Sequence, residues 1–139
     1  MSDDPVRVLL IEDQTIFREA LVVALEREPD VEVTGHVGTI AEARSCLSRT
    51  PVDVAVTELE LPDGHCTALI HDLRRARPLV QVLVLTGEGD QFDLGEAVRA
   101  GAAGVLHKSA PLAEITTAVR RLCAGQGRRA GVLRSDAVP

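Results

Sequence analysis

The residues able to do chemistry in this sequence stand at the ends of short apolar runs. Glu12 and Asp13 close the run Val6–Ile11, Glu58 closes 52–57, Thr86 closes 80–85, and Lys108 closes 104–107. If those ends meet, they bring together three carboxylates, a hydroxyl and an ammonium. Grouped carboxylate oxygens suit a hard divalent cation such as Mg²⁺. A lysine and a threonine facing them suit a phosphoryl group.

The pattern of the chain implies that the ends do meet. Val6–Ile11 is apolar throughout except for Arg7, as a strand buried on both faces would be. Residues 15–27 place Phe17, Leu21, Ala24 and Leu25 at helical spacing, and Pro29 ends that element. Residues 31–37 alternate apolar with Glu32, Thr34 and His36, the period of an edge strand with one wetter face. Thr39 with Glu42 three residues on has the spacing of a capping box opening a helix that carries Ile40, Ala43 and Leu47. After the run 52–57, Pro62 and Gly64 mark a loop over 59–65. A helix over 66–76 follows, with Leu69, Ile70 and Leu73 on its apolar side and arginines near its end. A strand over 80–85, a helix over 91–100 (Phe92, Leu94, Ala97 and Val98) with Gly101 as its C-cap, a strand over 104–107 and a helix over 110–124 complete the series. Five strands alternating with five helices require parallel strands joined by right-handed crossovers. The predicted fold is α/β, a five-stranded parallel sheet flanked by helices, with its chemistry at the carboxyl ends of the strands. The folded unit is expected over 1–124. Residues 125–139, rich in Gly and Arg, read as a linker or frayed tail.

Four segments in order resemble the receiver domain of response regulators: Leu9–Asp13 (Leu-Leu-Ile-Glu-Asp), Asp53–Glu58 with Pro62 four residues on, Val84–Thr86, and Ala100–Lys108. The resemblance covers about residues 6 to 124. It implies a flavodoxin-like or CheY-like sheet of strand order 2-1-3-4-5. It puts Glu12 and Asp13 in the place of the Mg²⁺-binding acids, Thr86 in that of the switch hydroxyl and Lys108 in that of the phosphate-binding lysine. Three departures stand out. The family's phosphoacceptor is Asp, and Glu58 stands there, one methylene longer. In-line transfer tolerates little misplacement, with ~1 Å worth on the order of a hundredfold. Val105 occupies the place of a common aromatic switch residue, and Ser109 follows the lysine where Pro is frequent. The expectation is an atypical receiver that regulates and is not an enzyme. In it Glu58 reaches toward Lys108 and Thr86, partly imitates a phosphorylated Asp, and weakens any Mg²⁺ site built with Glu12 and Asp13. A phosphorylatable receiver of a phosphorelay and a ligand-sensing pseudo-receiver are the alternatives.

Composition narrows the partners. Net charge is −6 and the aromatics are only Phe17 and Phe92, which argues against a nucleic-acid groove in this domain. Cys46, Cys66 and Cys123 match no metal or disulfide spacing and read as reduced thiols of a cytoplasmic protein. No apolar run approaches the ~18 residues that span a membrane. His36, His65, His71 and His107 share no ligand spacing and read as surface residues. By resemblance the partners are a second copy of the chain, a histidine kinase, and DNA through a C-terminal helix-turn-helix output domain outside this chain. The arginines at 120, 121, 128, 129 and 134 read as a solvated face or as the linker toward that domain. Leu112, Ile115 and Val119 are candidates for a dimer interface, with core packing the favoured reading for most of them.

Overall fold

The computed structural model describes residues 4–87, 91–124 and 133–134. Strand β1 (Val6–Ile11) leads to helix α1 (Thr15–Glu26), β2 (Val31–Val37), α2 (Ile40–Leu47) and β3 (Val54–Glu58). Two short strands, β4 (Glu60–Leu61) and β5 (Gly64–His65), form an antiparallel hairpin before α3 (Cys66–Ala76). Then come β6 (Gln81–Thr86), α4 (Gln91–Ala100), β7 (Gly104–His107), α5 (Leu112–Ala124) and β8 (Leu133–Arg134). The main sheet runs β2-β1-β3-β6-β7-β8, and every pairing in it is parallel.

Leaving β8 aside, the five long strands have the order 2-1-3-4-5 that the resemblance implies. β8 departs from the expectation of a linker: its backbone pairs Leu133 with Gly104 and Arg134 with Val105. Two residues are too few to show a period, so the sequence carries no signal for it. Arg128 and Arg129 lie outside the described residues, as do the side chains of Phe92, Leu94 and Arg134.

Strand alternation splits the core in two. Val8, Leu10, Val54, Val56, Leu83, Leu85 and Leu106 face α1 and α5 and meet Leu21, Leu25, Ile115, Val119 and Leu122. Leu9, Ile11, Ala55, Val82, Val84 and Val105 face α2, α3 and α4 and meet Ile40, Leu47, Leu69, Ile70 and Leu73. β1, β3 and β6 are buried on both faces, which is why they read as nearly continuous apolar runs. β2 lies at the sheet edge and keeps Glu32 and His36 exposed. Ile115 and Val119 are fully buried against α1, so core packing, not an interface, uses them. Leu112 is partly buried beside them.

Helix ends are set by local chemistry. Thr39 Oγ1 accepts from the Glu42 N–H at 3.1 Å, and Glu42 Oε1 accepts from the Gly38 N–H at 3.0 Å. Asp63, from the hairpin after β3, adds a second cap: its two carboxylate oxygens accept from Ile40 N at 2.9 Å and Ala41 N at 3.0 Å. The hairpin is thereby tied to the start of α2. His65 Nδ1 caps α3 by accepting from the Thr67 N–H at 3.2 Å. Gly101 ends α4 at φ +122, where a side chain would be strained, and a Cβ there would come within 3.0 Å of Arg74 Nε. Replacing Thr39 by Ala should cost about 1 kcal/mol in urea denaturation; an unchanged midpoint would contradict the capping role.

Candidate functional site

Parallel register sets the strand ends side by side. Ile11 pairs with Thr57, so Glu12 and Glu58 leave adjacent strands next to each other. Glu58 pairs with Leu85, and Lys108 N donates to Thr86 O at 2.8 Å, one strand further along. The long side chain of Lys108 spans the end of β6 to reach the acids. Its Nζ lies 2.7 Å from Glu58 Oε2 and 2.9 Å from Glu12 Oε1. Both contacts are close ion pairs; the aligned hydrogen bond from Nζ goes to Gln14 Oε1, at 2.6 Å. The ammonium also stands 4.6 Å above the centre of the Phe17 ring, within cation–π range.

The sequence therefore places Glu12, Asp13, Glu58, Thr86 and Lys108 at one edge, and the structure joins Glu12, Glu58 and Lys108 by direct contact. Thr86 is buried and linked to Lys108 through the backbone. Val105 is buried in the core on the α4 side. Asp13 is exposed at the rim. Gln14 and Phe17 are functional neighbours that pattern reading passes over. Gln14 occupies the N-cap position of α1, directly after the acid pair, and that place is the signal by which it is found. Its N–H also donates to Glu12 Oε2 at 2.8 Å, so a single residue holds the start of α1, Glu12 and Lys108 together. Arg18 reaches back from α1 and donates to the Glu12 carbonyl at 2.7 Å.

The pocket sets the two glutamates apart. Burial pushes the Glu58 carboxyl up, and its hydrogen bond to Glu12 pushes it further, to about 8 despite the pull of Lys108. Burial would raise Glu12 as well, but Glu58, the Gln14 N–H and Lys108 outweigh it and hold Glu12 below its ordinary value. Burial lowers Lys108, and the two carboxylates more than reverse this. Near neutrality the glutamates thus share one proton beside one ammonium, a nearly neutral set in a water-poor place.

Glu12, Asp13 and Glu58 each offer one oxygen within 4.8 Å of the others. That donor set fits a hard divalent cation, whose chemistry would be to neutralise anionic oxygens gathered there. Lys108 already sits on two of the three acids, so a cation must share or displace it. No helix among the described residues is long and apolar enough to cross a membrane.

The family model of the response regulator receiver domain matches residues 8–120. The DNA-binding transcriptional activator DevR/DosR of Mycobacterium tuberculosis is 34% identical over 121 residues, covering 87% of this chain and 56% of that protein. A protein-glutamate methylesterase/protein-glutamine glutaminase of Rhodospirillum centenum is 38% identical over 122 residues, 84% of this chain and 30% of that protein. The chain thus spans about half or less of these relatives. Among solved structures, the receiver domain of the response regulator NarL from Mycobacterium tuberculosis superposes with a TM-score of 0.82 at 28% identity, covering 88% of this chain and 99% of that one. A LuxR-family two-component response regulator from Aurantimonas sp. SI85-9A1 gives 0.79 at 29% identity, covering 88% of each.

The proton on Glu58 has a consequence for stability. The unfolded chain loses it near 4.5, the folded chain near 8. The contribution of this group is therefore fully present below about 4.5 and is lost as pH rises toward 8. In metal-free buffer the melting temperature of Glu58→Gln relative to wild type should rise steadily between pH 5 and pH 8.5, a window taken from those two values. A gap that does not change with pH would show that Glu58 titrates normally.

Proposed function

Because this chain belongs to the response-regulator receiver family, a family shared with transcriptional regulators, we propose that it is an atypical receiver whose output does not depend on phosphorylation of residue 58. The supporting observation is the 2.7 Å contact between Lys108 Nζ and Glu58 Oε2. The longer glutamate side chain brings its own oxygen to the lysine that the family resemblance assigns to phosphate. With the proton shared between Glu12 and Glu58, the imitation is one of contact more than of charge, since a phosphoryl group carries about −1.5 to −2. The domain is held in one state by a residue it always carries, and it acts through protein contacts within a cytoplasmic two-component-type transcriptional regulator. Mg²⁺, if it binds, is held by Asp13 with Glu12 and Glu58, and the lysine weakens that site.

Self-association is the proposed mode of output, with DNA reached through an output domain of the longer regulators to which the chain is related. One surface supports it. Ile16 is 87% exposed and Val23 54% exposed, seven residues apart and so on one side of α1, with the exposed Ala20 between them. A histidine kinase remains a partner only for the phosphorelay alternative, which the carboxylate cluster favours and the lysine contact opposes. The pseudo-receiver alternative has its own foothold, a cleft of about 320 Å³ lined by Thr67, His71, Glu96, Arg99 and Ala100; a thermal-shift screen of metabolites against Arg99→Ala and wild type separates it.

Incubation with acetyl phosphate and Mg²⁺ should give wild-type protein no hydroxylamine-labile phosphate, whereas Glu58→Asp should gain one, read by intact mass. A labile adduct on the wild-type chain would overturn this reading. Ile16→Glu should lower the dimer fraction in sedimentation at fixed concentration, by about tenfold or more in Kd if a buried apolar contact is lost. An unchanged distribution would remove α1 from the interface.

A further inference from the structure

Ser109 places a hydroxyl on the turn between β7 and α5, and the fold gives that hydroxyl a base. Ser109 Oγ lies 2.6 Å from His107 Nδ1, and the Ser109 backbone N–H donates to the same nitrogen at 3.0 Å. A backbone N–H is only ever a donor, so Nδ1 carries a lone pair. The neutral imidazole then holds its proton on Nε2, and the serine hydroxyl is the donor to Nδ1. A hydroxyl whose proton is aimed at an imidazole lone pair at this distance is an activated nucleophile in waiting.

Other hydroxyls of the described chain are used differently. Ser48 donates to the Ser45 carbonyl, Thr116 and Thr117 to the Ala113 carbonyl, and Thr57 to the Glu58 carbonyl. One other pair has the same pattern: Thr67 Oγ1 lies 3.1 Å from His65 Nδ1, and the Thr67 N–H donates to that nitrogen. There the contact opens α3, and the hydroxyl is a half-buried secondary alcohol. Ser109 is an exposed primary alcohol at a shorter distance, three residues before α5 begins at Leu112. Thr67 is therefore a built-in control: the same motif in a capping role, on a half-buried secondary alcohol.

We infer that Ser109 is a phosphoryl-acceptor site with His107 as its general base. The donor is a phosphoric anhydride, either a small acyl phosphate or a nucleoside triphosphate carried by a protein kinase. Ser109 Oγ attacks phosphorus, and the Oγ–P bond forms as the bond from phosphorus to the leaving oxygen breaks. The electron pair departs with the carboxylate or the nucleoside diphosphate. The Oγ proton passes to His107 Nδ1 and then to solvent. The product is a stable phosphomonoester directly after Lys108 and just ahead of the first turn of α5, where helix N–H groups favour an anion. The inference goes beyond the Glu58 reading and does not depend on it.

The test uses the full chain in two arms: acetyl phosphate with Mg²⁺, and ATP with a soluble extract of the cells that make the protein. Intact mass is read before and after hydroxylamine, which strips acyl phosphates and spares phosphoserine, and the site is mapped by tandem mass spectrometry. The expected result is a hydroxylamine-stable phosphate on Ser109 in at least one arm, absent in Ser109→Ala and retained in Thr67→Ala. The arm that gives it identifies the donor. In that arm His107→Ala should slow incorporation by about tenfold or more. A stable adduct in neither arm, or one that persists in Ser109→Ala, overturns the site, and an unchanged rate in His107→Ala overturns the base. A labile adduct alone overturns both this inference and the Glu58 reading; no adduct at all overturns this one only.

Discussion

The contact on which this pocket depends is the one between Lys108 and Glu58. A half-buried lysine and two buried glutamates leave one acid in excess, and such a cluster is tolerable only if the charges cancel. The molecule cancels them with one ammonium and one shared proton. Gln14 and the ring of Phe17 then fix where the ammonium stands. Removing Lys108 would leave two carboxyls facing each other without a counter-ion. Shortening Glu58 would pull its oxygen back from the lysine and reopen the space that the extra methylene fills.

The surrounding fold is arranged so that these side chains have little freedom. Glu12 and Glu58 leave neighbouring parallel strands whose register is fixed by two buried faces, since a slip of one residue would send every core side chain to the opposite face and undo the packing of both layers. The loop after Glu58 is braced by a hairpin and by Asp63, which holds the first turn of α2. Arg120 of α5 reaches Glu28 and Asp30 in the turn between α1 and β2, fixing the opposite end of the α1–α5 layer.

Much of this was legible in the sequence, for identifiable reasons. Strands buried on both faces appear as unbroken apolar runs, as over residues 8–11 of β1. Thr39 with Glu42 announces α2, and Gly101 announces the end of α4 at positive φ. The residues after each run could be assigned to one edge because parallel topology leaves them no other place. What stayed hidden is short-range or side-chain borne. The β4–β5 hairpin and β8 are two-residue strands with no period of their own. Gln14 becomes a ligand of Lys108 through its side chain, 94 positions away in the chain, and no local spacing encodes that. His65 and His107 read as surface histidines, yet each accepts from the backbone N–H two residues on. The start of α5 falls at Leu112, two residues later than its apolar spacing suggests, because Ala110 and Pro111 belong to the turn that holds Ser109.

The central claim, that Glu58 already occupies the contact a phosphoryl group would make with Lys108, is tested most directly by beryllofluoride, which binds a carboxylate oxygen as a tetrahedral phosphoryl mimic. Fluorine NMR of the protein with Mg²⁺ and beryllofluoride should show no bound signal for the wild-type chain and a stoichiometric one for Glu58→Asp. A bound signal of equal strength on the wild-type chain would mean that the lysine is free to receive a phosphoryl group and that Glu58 does not stand in its place.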